Sequence, residues 1–328
     1  MKTAFVTGGT GFIGSRLIAL LVRRGVEVRA LARSQSGLEK VKALGAAPVQ
    51  GDVIDRASMQ EAMRGCDVVF HVASMYEVGL RYKAQMEKVN VDGVQNVIET
   101  AWKAGVPKIV FTSTVGVFGD TRGRLVDETY EYTGDFSTVY ERTKWIAHYQ
   151  VVLPLIQQGA PVIIVMPSAV FGPNDHSTVN DLMTLHVRGR LPVLPGKETT
   201  FSHVYVDDVA EGHILAAEKG RIGESYVLSG TVLSFSEYVK LWAKVSGRPA
   251  PVVEIPSAVL RIWWPVLTLL ERVLPMPALL SGEAARVLGT TWIASSEKAQ
   301  RELGYRPRPV EDGLKLTFDW LKEKYNQS

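Results

Sequence analysis

Two short stretches of the chain place chemically capable groups at fixed spacing. The first is Thr7-Gly8-Gly9-Thr10-Gly11-Phe12-Ile13-Gly14, a G-x-x-G-x-x-G loop between an apolar run and a helical stretch. Glycines permit a tight turn and let a pyrophosphate approach the backbone. The helix that follows offers free N–H groups and a partial positive charge. Glycine spacing alone fits any strand-to-helix turn; the strand-loop-helix context points to a dinucleotide. The second stretch is Tyr140-Glu141-Arg142-Thr143-Lys144. In a helix, a spacing of four puts Tyr140 and Lys144 on one face. A free phenol, with a pKa of about 10, gives up its proton reluctantly. A neighbouring ammonium and an oxidised nicotinamide ring would both stabilise the phenolate and lower that value. Taken alone, the pair could be an ordinary surface contact. It follows the segment Phe111-Thr112-Ser113-Thr114-Val115, which brings three hydroxyls to a strand end.

The end of the second strand refines the cofactor. A site for NAD usually carries a carboxylate there, on the adenosine ribose. Here the run Val28-Arg29-Ala30-Leu31-Ala32 ends in Arg33. A guanidinium suits a 2′-phosphate, so NADP is expected, with NAD the alternative and a solvated surface charge the bland reading of Arg33. Gly51-Asp52-Val53 follows the third strand. Asp52 either accepts a hydrogen bond from the adenine amino group or caps the next helix.

These groups need a scaffold that holds them at one edge. Apolar strand-like runs at 3–7, 26–32, 48–51, 67–73, 108–113 and 161–166 alternate with helical stretches at 12–24, 36–44, 56–64, 83–104 and 137–158. Ser36 and Glu39 have capping-box spacing. Apolar runs without strict alternation argue for a parallel sheet covered on both faces, which binds ligands at its carboxyl edge. The expected fold is α/β: a Rossmann doubly wound parallel sheet with a smaller, mainly helical C-terminal substrate domain. Residues 1–172 form the dinucleotide-binding part, with 203–230 returning to it, and 173–202 and 231–328 form the substrate-binding part. Residues 172–200 read as loop, rich in Gly, Pro, Asn and Asp. Asp208 and Glu211, three apart, read as helix capping. His71 and His203 read as structural histidines.

Bulk properties exclude several classes. The 328 residues carry a net charge of only +3, with no basic stripe, so nucleic acid is not an expected partner. The single cysteine, Cys66, and the six scattered histidines offer neither a disulfide nor a metal site. The chain runs from Met1-Lys2-Thr3 straight into an apolar strand without a leader-like pattern, and a cytoplasmic setting is expected. Residues 258–280 are strongly apolar but are interrupted by Arg261, Glu271, Arg272 and three prolines. A spanning helix needs about 20 uninterrupted apolar residues. Helix packing is the plain reading here, with an apolar substrate mouth or membrane-surface contact as the alternative.

The chain resembles an extended short-chain dehydrogenase/reductase of the NAD-dependent epimerase/dehydratase type, and is most similar to dihydroflavonol-reductase-like and hopanoid-associated epimerase-like members. The glycine loop, Gly51-Asp52-Val53, Phe70-His71-Val72-Ala73-Ser74, Val89-Asn90-Val91-Asp92-Gly93, the hydroxyl strand, Y-x-x-x-K, Pro167-Ser168-Ala169-Val170-Phe171-Gly172-Pro173, His203-Val204-Tyr205-Val206-Asp207-Asp208 and Leu303-Gly304-Tyr305-Arg306-Pro307 carry the resemblance. It implies that Tyr140 is the general acid/base and that Lys144 binds the nicotinamide ribose and tunes Tyr140. It further implies that Thr114 orients the substrate oxygen, and that Ala73, Ser74, Pro167 and Ala169 line the cofactor. The family pattern F-S-S-S-A leaves both Ser113 and Thr114 as bearers of the hydroxyl role. An arginine common before the family proline is Met166 here. A small-molecule substrate and a homodimer packed through the two long helices are also implied. The expected activity is hydride transfer between NADP(H) and a carbonyl or secondary alcohol. Its rivals are an NAD-dependent sugar-nucleotide epimerase or dehydratase, and a non-catalytic dinucleotide sensor.

Overall fold

The computed structural model describes residues 1–77, 82–132, 134, 136–270 and 282–326. Seven parallel strands form one sheet in the order β10-β6-β5-β4-β1-β2-β3. They are β1 (Thr3–Thr7), β2 (Glu27–Ala32), β3 (Ala47–Gln50), β4 (Val68–His71), β5 (Ile109–Thr112), β6 (Val162–Pro167) and β10 (Ser225–Leu228). Strand order reverses between β1 and β4, which pair from Ala4↔Val68 to Thr7↔His71. That reversal opens a crevice at the carboxyl edge, where such sheets take their ligands. The central strands are buried on both faces, so their side chains form uninterrupted apolar runs.

Local chemistry sets the flanking helices. Leu17, Ile18 and Leu21 form the buried stripe of helix Phe12–Arg23. They share a core with Val209, Ala210 and Ile214 of helix Val206–Lys219. Helix Gln35–Ala43 starts one turn-position earlier than its sequence suggests. Ser34, not Ser36, is its cap and accepts from the Gly37 N–H at 3.2 Å. Asp208 and Glu211 are not caps either. Asp208 holds the Arg308 guanidinium at 2.8 Å and Glu211 holds Arg24. Both partners lie far away in sequence, beyond the reach of a local pattern.

The two long helices are each broken by a π-helical turn, Lys88–Asp92 and Ile146–Val152. The buried polar side chains Asn90 and His148 sit on these turns. Single π turns of this kind concentrate at functional sites.

The remaining strands are β7 (Ala169–Phe171), β8 (Val193–Pro195), β9 (Thr200–Tyr205), β11 (Thr231–Ser234) and β12 (Val253–Ile255). They make a three-stranded sheet, β11-β9-β7, and a β12-β8 pair. Helices Thr178–Val187, Phe235–Ser246 and Val310–Asn326 pack beside them around Trp242, Tyr238 and Phe318. The first of these lies inside the stretch read as loop. Its Ser177 cap stands two residues after Asp175 and donates its N–H to that carboxylate at 2.8 Å, so turn-forming residues masked a ten-residue helix. The sequence segment 258–280 is described only as far as Leu270.

Five histidines are buried, and four of them, His71, His148, His203 and His213, are pushed furthest from their ordinary range. His71 shares a hydrogen bond with Thr7 Oγ1 at 2.7 Å, His148 with Ser113 Oγ at 2.8 Å, and His213 with Thr112 Oγ1 at 2.9 Å. His203 stacks on Tyr238 at 3.8 Å. Burial pushes His71, His148 and His203 down to about 3, and His213 to about 4. The unfolded chain therefore binds more protons than the folded one below about pH 6.5. Stability is full above that pH and falls as pH drops towards the folded values. Each imidazole removes about 2 kcal/mol by pH 5, against a total of about 5–15 kcal/mol. Circular dichroism should show cooperative unfolding near pH 5. A melting temperature unchanged from pH 7 to 4.5 would contradict this account.

Candidate active site

One cavity of about 930 Å³ runs from the glycine loop to the C-terminal helices. Gly8, Thr10, Gly11, Phe12, Ile13, Gly14, Arg33, Asp52, Val53, Ala73, Ser74, Thr114, Tyr140 and Ala169 all line it. Lys144 and Pro167 do not. Pro167 ends β6 inside the sheet, and Lys144 is buried, with its ammonium at the Thr112 carbonyl.

The glycine end has the shape a dinucleotide requires. Gly8 has φ +72°, and a Cβ there would stand 2.6 Å from the Ala73 nitrogen. A Cβ on Gly14 would overlap the Gly8 carbonyl oxygen. Gly11 begins the helix in an extended conformation, with no side-chain cap and no acid in the first turn. The helix end therefore faces the crevice with its N–H groups, as a pyrophosphate needs. Lys40 Nζ donates to the Thr10 carbonyl at 2.6 Å and steadies the loop; nothing in the local pattern had marked it.

At the adenosine end, Arg33 is 68% exposed and reaches Asp52 at 3.8 Å. Asp52 does not cap the next helix. Arg56 holds the cap position without a side-chain bond, and Asp55 before it accepts from the Ala57 N–H at 3.1 Å. Of its two expected roles the helix cap is not made: Asp52 Oδ1 accepts from the Ile54 N–H at 3.3 Å, and its carboxylate lines the cavity beside the guanidinium.

Tyr140 is the second residue of helix Val139–Trp145, which Thr138 caps by accepting from the Glu141 N–H at 3.0 Å. Its ring meets the edge of Tyr76 at 4.9 Å. Burial pushes the phenol up to about 12, a hydrogen bond with Ser74 pulls the other way, and Glu141 raises it further. The lowered phenol expected from Lys144 is absent in the chain alone. The reason is geometric: Lys144 Nζ donates to the Thr112 carbonyl at 2.7 Å and lies 4.9 Å above the Phe111 ring. Burial brings that ammonium down to about 7.

Of the two candidate hydroxyls, only Thr114 faces the cavity. Its Oγ1 accepts from the Gly116 N–H at 3.1 Å. Ser113 points into the core, onto His148.

Asn90 ties these pieces together. Its Oδ1 accepts from Ser74 Oγ at 3.1 Å and from the Met75 N–H at 2.7 Å. Its Nδ2 donates to the Met75 carbonyl at 2.9 Å and to Thr143 Oγ1 at 3.1 Å. One buried amide thus locks the β4 strand end to the tyrosine helix. The Val89-Asn90-Val91 motif signalled a constrained position but not this role.

Beyond Tyr140 the walls turn apolar, with Phe171, Leu182, Phe201, Leu288 and Trp292. Asp175, His176 and Ser177 supply polar groups at one side. Among the described residues no lysine and no arginine other than Arg33 lines the cavity.

A doubly wound sheet, a glycine cradle at its reversal and a tyrosine opposite define a Rossmann-type dinucleotide enzyme of the short-chain dehydrogenase/reductase class. Residues 5–229 match the 3-beta hydroxysteroid dehydrogenase/isomerase family. The chain belongs to that family, within the extended short-chain dehydrogenases/reductases, and is an NAD(P)-dependent oxidoreductase. It is 34% identical to a 4-hydroxy-2-methyl-3-oxo-4-farnesyl-3,4-dihydroquinoline-1-oxide ketoreductase from Stigmatella aurantiaca, over 94% of this chain and 92% of the relative. It is 30% identical to a putative dihydroflavonol 4-reductase from Synechocystis, over 97% and 94%. In fold it is similar to UDP-glucose 4-epimerase from Thermotoga maritima, with a TM-score of 0.80 and 24% identity over 98% and 99% of the two chains.

Proposed function

We propose that the protein transfers hydride between NADP(H) and a carbonyl or secondary alcohol carried on a largely apolar small molecule. The observation that carries this is the far half of the cavity: apolar walls open onto Tyr140 and Thr114, with no cation among the described lining residues there. When bound, the nicotinamide supplies or accepts the hydride at the carbonyl carbon. The Thr114 hydroxyl fixes the substrate oxygen. Tyr140 gives that oxygen its proton in reduction and takes it back in oxidation. Lys144 would reach the nicotinamide ribose and support the phenolate by turning its ammonium from the Thr112 carbonyl towards the bound cofactor. Ala169 and the strand end Ala73-Ser74 bound the ring pocket. Arg33, released from Asp52, takes the 2′-phosphate. A reducing cytoplasmic setting suits the free, buried Cys66, and pairing of two copies through the long helices is part of this reading.

A sugar-nucleotide epimerase would have to desolvate a diphosphate in this cavity. The described lining residues of its far half include no lysine or arginine, and burying that charge uncompensated is costly, which argues against the reading. A non-catalytic sensor would not need Tyr140 and Lys144 together.

The test is NADPH oxidation with a panel of apolar ketones and sugar nucleotides, run on wild type and Arg33→Ala. Turnover is expected with ketones. The variant should raise the KM for NADPH about tenfold to a hundredfold, the worth of a charge-assisted hydrogen bond, and leave NADH unchanged. A larger thermal shift with NAD than with NADP would overturn the cofactor assignment. Turnover confined to sugar nucleotides would overturn the substrate assignment.

A further inference from the structure

The far half of the cavity holds a buried acid that hydride transfer does not use. Asp175, on the loop after β7, lines the cavity and is 5% exposed. Its Oδ1 accepts from the Ser177 N–H and its Oδ2 from the Ser177 hydroxyl, each at 2.8 Å. Those bonds order the loop and leave lone pairs of the carboxylate unused. Among the described residues, no lysine or arginine lines this half of the cavity to offset the charge. Burial pushes the carboxyl above its ordinary range.

An aromatic strip stands beside it. Strand β9 carries His203 next to Ala169 of β7, and helix Phe235–Ser246 lays Tyr238 on that imidazole, with ring centres 3.8 Å apart. His203 meets Phe201 at 6.2 Å, and Phe201 meets Trp292 at 5.2 Å. All four rings line the cavity. The charge of Asp175 acts on the Tyr238 phenol, which puts the carboxylate at the same end of the strip.

This wall is polar where packing alone would make it apolar. Tyr238 Oη, His203 Nε2 and Trp292 Nε1 are buried and complete no hydrogen bond among the described residues. The Trp242 indole approaches the Tyr238 hydroxyl without completing one. Unmet buried polar groups are costly, and nearly all find a partner. A phenyl ring at either position would fill the same space without that cost. A bound ligand removes it by supplying the partner. The groups also select which partner. A carboxylate only accepts, whereas a phenol both donates and accepts. A hydroxyl gives its proton to Asp175 and takes one from Tyr238. An ether oxygen cannot do the first, and an ammonium cannot do the second.

We propose that Asp175, His203 and Tyr238 form a second recognition point, which binds a hydroxyl group of the substrate separate from the reacting carbonyl. The substrate is then a hydroxy ketone on an apolar frame. That substrate class rests on the function proposed above, whereas the hydroxyl subsite itself does not.

The test uses methyl ketones of increasing chain length that end in a hydroxyl, a methoxy or a methyl group. Binding to the protein with NADP⁺ is read by calorimetry, and turnover by NADPH oxidation. The wild type is compared with Asp175→Asn and Tyr238→Phe. At the chain length that spans the cavity, the hydroxy ketone should bind at least about tenfold more tightly than its methoxy counterpart, the worth of one charge-assisted hydrogen bond. Each variant should bring that ratio close to one, and the loss in turnover of the hydroxy ketone should fall on KM rather than kcat. A merely structural role would weaken both ketones alike and leave the ratio in place. Tyr238→Phe removes only an oxygen that completes no bond within the fold, so it reads the subsite even where Asp175→Asn disturbs the loop. A wild-type ratio near one at every chain length would overturn the subsite, as would a ratio that survives in Tyr238→Phe. Hydroxyl-selective binding with no turnover of any ketone would refute the proposed function and leave the subsite standing. Turnover without hydroxyl preference would do the reverse.

Discussion

Tyr140→Phe should lower turnover by about 10²–10⁴, the usual worth of a positioned acid/base, with NADP(H) affinity within about twofold of wild type. Phenylalanine keeps the ring, so the edge contact with Tyr76 and the helix packing survive. Only the hydroxyl is lost. Ser74 retains Asn90 as its partner, so no buried donor is stranded and the melting temperature should move little. In the proposed mechanism the phenol is the proton carrier, and it lines the cavity together with Thr114. With its pKa pushed up to about 12, it stays protonated at neutral pH. That is the correct state to donate during carbonyl reduction, and the reverse reaction needs positive charge nearby to accept a proton. Steady-state kinetics at saturating cofactor, with cofactor titration by fluorescence, measures both quantities. Full activity in the variant would end the proposed mechanism.

The parts of this molecule legible in the sequence are those whose constraints are local. Gly8 must adopt positive φ and Gly14 must let the Gly8 carbonyl pass, so the loop is written in consecutive residues. Tyr140 and Lys144 share a helix, and four positions fix their relation. The alternation of apolar runs and helices gave the parallel sheet for the same reason. What was hidden depends on segments distant in sequence. Asp208 finds Arg308 a hundred positions away. Phe201 and Trp292 form one cavity wall from opposite ends of the C-terminal half. Asp52 pairs with Arg33 because β2 and β3 are neighbours, which no local capping rule contains. Ser113 and Thr114 differ only in which way successive residues point at a strand end, and the π turn that carries His148 decides it by drawing Ser113 inward.

The direction of Lys144 was equally unreadable, and it leads to an expected crossing of two stability curves. In the folded chain burial holds this ammonium at about 7, against about 10.4 when unfolded. Between those values the unfolded chain binds more protons, so the stability of the wild type rises with pH across that window. Below about pH 7 the full desolvation cost is present. Above about pH 10.4 it is gone. Lys144→Met keeps similar volume and removes the charge, which should raise the melting temperature at pH 6 by several degrees. It also strands the Thr112 carbonyl, at about 1–3 kcal/mol. At pH 10, where the wild type no longer suffers the buried charge, the variant should therefore be the less stable of the two. Turnover should fall about a hundredfold or more throughout, because the charge that the proposed mechanism assigns to Lys144 is lost. Thermal melts from pH 6 to 10 and kcat at saturating NADPH test both halves. A variant destabilised equally at every pH would show that Lys144 is held for packing alone, and a fully active one would remove it from the chemistry. A gain in stability at pH 6 with the loss of turnover would mean that the fold tolerates an unfavourable buried ammonium because the reaction needs its charge next to Tyr140.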